Sequence, residues 1–145
     1  MFLILLANVA STWAMVGLIW FVQIVHYPLF GLVGQGEFAE YEYRHKILTT
    51  RVVLPLMLTE LASASALCLW CPEAVSPYVA WIGFGLIALI WLSTFFVQIP
   101  AHQSLSKAFS NYHHRILVTS NWIRTVAWSV RGLLVLVMVW QSLPS

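Results

Sequence analysis

Five histidines, His26, His45, His102, His113 and His114, are the residues of this chain whose type most readily supports chemistry. Imidazole ligates transition metals and carries protons near neutral pH. Three readings follow. His26, His45, His102 and His114, converging from several segments, would hold a metal ion, with Glu37, Glu40 or Glu42 adding a carboxylate. His26 and His102, facing each other, would ligate a haem. In the third reading the histidines bind no cofactor and line a wet membrane interface. A site, if built, centres on His26 and His102.

A second group is made of charges set in apolar sequence: Arg51, Glu60, Arg124 and Arg131. Ionisable residues in such surroundings turn inward and find partners. His114, Asn121, Arg124, Trp128 and Arg131 follow spacings of seven, three, four and three, which puts them on one helix face. Glu60 lies 15 residues beyond His45, and Arg131 lies 17 beyond His114. Two residues of helical rise is only about 3 Å. Glu60 is therefore expected to pair with Arg131 or Arg124, either to fix helix packing or to serve a substrate. Asn8, Thr12, Met15, Ile19, Gln23 and His26 form a further polar stripe.

Other chemistries are poorly served. Cys68-Leu69-Trp70-Cys71 resembles a redox pair, but the chain has no second pair to relay electrons. It has no aspartate, no Gly-rich phosphate loop and no nucleophile elbow.

The elements that position these residues follow from composition. Of 145 residues, 61% are hydrophobic and 8% charged. A soluble domain carries roughly 25% charged residues, so lipid must solvate most of this surface. Four segments are long and apolar enough to cross it as helices, about residues 2–27, 47–70, 78–99 and 116–140. The expected fold is an all-α membrane protein, a four-transmembrane-helix bundle in a single domain. No segment alternates with period two, which excludes a β-barrel. The first 36 residues carry no charged side chain. That reads as a retained anchor rather than a cleaved signal peptide. A net charge of +2 gives no surface for nucleic acid. Arg44 and Lys46 flank the first loop, and Lys107 and Arg115 the third. The positive-inside rule then places those loops in the cytoplasm and both termini outside, in the cell membrane.

The halves resemble each other. Phe21-Val22-Gln23-Ile24 recurs as Phe96-Val97-Gln98-Ile99, with His26 and His102 following. His45-Lys46-Ile47-Leu48 and Thr50 recur as His114-Arg115-Ile116-Leu117 and Thr119. The offsets are 75 and 69 residues. Two tandem two-helix repeats are expected, with four histidines at one depth on the cytoplasmic side.

The second half also resembles a known family. Ile99-Pro100-Ala101-His102-Gln103-Ser104-Leu105, then Asn121-Trp122-Ile123-Arg124-Thr125-Val126-Ala127, is similar to the pattern of small anthrone oxygenase-like membrane proteins. His26-Tyr27-Pro28-Leu29-Phe30 and Pro55 resemble that family's prolines after helix one and within helix two. His102 stands where the family usually has Asn. The resemblance implies oxidation, by dioxygen, of a flat polycyclic or quinone-like molecule that enters from the bilayer. It implies a catalytic set of His102, Arg124, Asn121 and His26. Arg124 would hold a phenolate or enolate-like anion and a histidine would take its proton. The competing class is non-enzymatic: a small membrane subunit that binds metal, haem, pigment or lipid. Its Ala62, Ser63 and Ala66 face would then meet a second copy or a complex partner.

Overall fold

The computed structural model describes residues 1–143. Four helices account for almost all of them: α1 (Phe2–Phe30), α2 (Phe38–Leu69), α3 (Pro77–Leu105) and α4 (Asn111–Gln141). Each is long and apolar enough to cross a membrane. Their 29 to 32 residues give lengths of about 44–48 Å at 1.5 Å per residue, against a hydrocarbon core of about 30 Å. Helix ends therefore project beyond the acyl chains.

The sequence limits fall short of the helices at the histidine end. There α2 begins at Phe38 instead of about residue 47, and α4 at Asn111 instead of about 116. Hydropathy marks only the lipid-embedded part of a helix, while the polar turns outside it keep the same hydrogen bonding. Pro28 and Pro100, just past the expected ends of α1 and α3, do not stop them. Each follows a π-helical turn, Val22–His26 and Thr94–Gln98. Proline lacks an N–H and crowds the carbonyl four residues back. The widened turn, closed by Tyr27 N–H to Val22 O and by Ile99 N–H to Thr94 O, lets the helix run on. Each π turn contains the glutamine of the recurring Phe-Val-Gln-Ile, and both glutamines are buried.

The helices form a ring in which each packs on its sequence neighbours and α1 closes against α4. The α2–α3 seam is sparser than the α1–α2 seam. Apolar packing comes in three layers. Leu5, Leu67, Val75, Ala80 and Met138 fill one end. Met15, Ile19, Met57, Ile90 and Trp128 fill the middle. Phe30, Phe38, Ala101, Leu105 and Leu117 fill the histidine end.

Between the first two layers lies a polar knot that joins all four helices. Arg131 Nε donates to Glu60 Oε1 at 2.8 Å, with both side chains buried. Glu60 also accepts from Thr12 Oγ1 at 2.8 Å and from Trp128 Nε1 at 3.0 Å. The remaining guanidinium nitrogens donate to Gly83 O, Asn8 Oδ1 and Thr12 Oγ1 at 2.9 to 3.2 Å. Such full satisfaction is what a buried ion pair requires in lipid. Gly83 is glycine because a Cβ there would stand 3.0 Å from Arg131 Nη1. Gly83→Val is expected to cost about 1–3 kcal/mol by overpacking this contact, read as a lowered unfolding midpoint in detergent. An unchanged midpoint would show that α3 can move away freely.

Candidate functional site

The first turns of α2 bring Glu42 and His45 to one face, three residues apart. The end of α3, carried past Pro100 by its π turn, sets His102 against them. His102 Nδ1 lies 2.5 Å from Glu42 Oε1. His102 Nε2 meets the Tyr27 hydroxyl of α1 at 3.0 Å. His45 and His102 stack with ring centroids 5.5 Å apart. One donor atom from each of Glu42, His45 and His102 lies within 4.8 Å of the other two. Glu42 is fully buried, and its Oε2 has no hydrogen-bond partner.

The ring of His45 is held from behind. Its Nδ1 lies 2.8 Å from His26 Nε2 and 3.1 Å from Thr49 Oγ1. Those contacts occupy Nδ1 and leave Nε2 without a hydrogen-bond partner among the described residues. His26 thus stands behind His45, away from Glu42. His45 also lies between His26 and His102 (centroids 4.5 and 5.5 Å away), so the space a haem would need between those two is filled. His114 is set apart across Phe30, its Nε2 2.7 Å from the Tyr27 carbonyl. His113 sits against Tyr112.

Beneath the histidines is a cavity of about 380 Å³, lined by all four helices. His45, Lys46, His102, Gln103, Tyr27 and Gln98 form its polar end, and Leu18, Val53, Met57 and Trp91 its apolar body. Arg124 reaches it from α4 with 7% exposure. The guanidinium adjoins Tyr27 and lies 5.2 Å from the Trp128 ring, but its Nε has no hydrogen-bond partner. Asn121 does not line the cavity. It donates to Gln23 Oε1 at 2.9 Å, and Gln23 in turn donates to Val118 O at 3.1 Å. Glu60 and Arg131 belong to the knot nearer the middle of the bundle. Cys68 and Cys71, both free, lie at the opposite end from the histidines.

Sequence reasoning did not single out Tyr27 or Gln98 as site residues, whereas helical spacing puts Thr49 on the His45 face of α2. A tyrosine in an apolar helix gives no signal of its own. Glu42 was one of three glutamates open to the site. Its helical spacing from His45 favours it, since Glu40 instead pairs with Arg44 on the surface.

No protein-family model matches the chain, and no curated protein or solved structure matches it.

Proposed function

We propose that this chain is a membrane-embedded, metal-dependent oxidoreductase that acts on a flat lipophilic molecule. The observation that carries the reading is the Glu42–His45–His102 set, with a buried, unpartnered carboxylate oxygen, at the polar end of a cavity. Two histidines and one carboxylate with open positions suit a divalent first-row ion such as iron, and the same donors suit catalytic zinc. Ligand bonds of about 2.0–2.2 Å separate donors by roughly 3–4 Å. His26 and Thr49, which orient His45, play the part that hydrogen-bonded partners play behind metal-binding histidines.

The family resemblance supports the reaction class. A CH₂ flanked by aromatic rings is oxidised to a carbonyl as R₂CH₂ + O₂ → R₂CO + H₂O, with dioxygen as the oxidant. Glu42, His45 and His102 would hold a redox-active ion at the polar end, and such an ion would supply the electron-transfer chemistry that dioxygen needs. Arg44, Lys46, Lys107 and Arg115 flank this end, which we place in the cytoplasm, with both termini on the far side of the cell membrane.

The test is metal content. Protein purified in nanodiscs, stripped and reloaded with Fe²⁺, Zn²⁺ or Co²⁺, is expected to hold one equivalent by elemental analysis. Bound Co²⁺ should show visible absorption of nitrogen and oxygen ligation. His45→Ala should lose the ion, and Thr49→Val should weaken binding by about 10- to 100-fold. Wild-type protein that retains none of the three ions, or a His45→Ala variant that binds as tightly, would refute the proposal.

A further inference from the structure

The two buried arginines of α4 are treated differently by the fold. Arg131 has an acid and three further acceptors. Arg124 is also buried, yet among the described residues it forms no salt bridge, and its Nε has no partner. A cation withdrawn from water without an anion is costly, and more so within a membrane. Arg124 lines the cavity, so an anion placed there would meet its side chain.

The cavity also shows how such an anion would arrive. Leu54 of α2 and Phe95 and Ile99 of α3 line it and are 38 to 53% exposed. These residues sit along the sparse α2–α3 seam, within spans apolar enough to lie in lipid. That side of the mouth would face acyl chains, closed to a free inorganic anion, while Lys46 and Gln103 line the cavity at its histidine end. A molecule that partitions into the bilayer can approach from the acyl-chain side. Cavities of this size take small organic ligands. Trp91 and Phe95, stacked with centroids 5.3 Å apart, offer aromatic surface on one wall.

We infer that Arg124 anchors the acidic oxygen, carboxylate or phenolate, of a lipophilic molecule that enters the cavity from the bilayer between α2 and α3. This names the substrate class for the oxidoreductase reading and deepens it, although the anchor itself needs no metal ion. Tyr27, between Arg124 and His102, ties the anchored oxygen to the histidine end.

The test uses four probes on the full chain in nanodiscs: palmitic acid, its methyl ester, 1,8-dihydroxyanthrone and its dimethyl ether. Binding is followed by tryptophan fluorescence and by mass spectrometry of the re-isolated protein. At least one acid is expected to bind about tenfold or more tightly than its capped partner. Which acid does so distinguishes a fatty-acid source from a phenolic one. Arg124→Leu should remove that preference while leaving thermal stability unchanged or raised, because it deletes an unpaired charge. Leu54→Trp, which narrows the mouth and keeps Arg124, should slow association. Acids and capped probes that bind alike, or an Arg124→Leu variant that keeps the preference, would overturn the inference. So would an Arg124→Leu variant that merely unfolds while Leu54→Trp binds at the wild-type rate. Metal content read on the same samples separates the two proposals. Metal-loaded protein without acid preference defeats only this one. Metal-free protein with the preference defeats only the metal reading.

Discussion

Arg131→Met lowers the unfolding free energy by about 3–5 kcal/mol, the range for breaking one partner of a buried ion pair. The loss comes less from attraction forgone than from what stays behind. Glu60 would remain a carboxylate at about 2% exposure, held only by Thr12 and Trp128. Asn8 Oδ1 would lose its donor as well. The value should fall toward the lower end, because the unfolded chain in a membrane also finds partners for its polar groups. Replacing the pair together, as Glu60→Leu with Arg131→Met, removes the stranded charge. It should recover about half of the loss or more. Unfolding in mixed micelles, followed by tryptophan fluorescence, gives the three free energies. A double variant as unstable as Arg131→Met would show that the polar knot holds the bundle through its neutral hydrogen bonds, and that the charges are incidental.

Glu42→Gln is expected to lower affinity for the proposed metal ion by about a hundredfold or more, beyond the 10- to 100-fold typical of groups behind the ligands. A divalent ion with one carboxylate and two neutral imidazoles carries a single net positive charge. With glutamine it carries two, in a site closed to water on the Glu42 side. Glutamine also keeps the volume and the hydrogen-bonding reach of glutamate, so the helix contacts should survive.

Co²⁺ titrations of wild type and variant measure the difference. A Glu42→Gln variant that binds like wild type would remove Glu42 from the ligand set.

The sequence by itself determined the solvent and the elements. Charge scarcity and four long apolar stretches require lipid and helices, because a backbone in hydrocarbon must satisfy its own hydrogen bonds. The spacing along α4 also put Arg124 and Arg131 on one inward face, since helical periodicity is local and can be read without a partner. Only the tertiary structure separated their roles. Arg131 meets Glu60, whereas Arg124 faces a cavity, and that difference depends on which side chains α1 and α2 bring to each depth. The histidines divide in the same way. His26, His45, His102 and His114 look alike in sequence. The register of α2 against α3 joins His45 and His102 to Glu42, leaves His26 as a support and turns His114 onto a backbone carbonyl. Packing between helices sets that register through side-chain shapes spread over the whole bundle, which no short motif records. Two π turns beside the prolines, also unread in the sequence, extend α1 and α3 far enough to bring Tyr27 and His102 together.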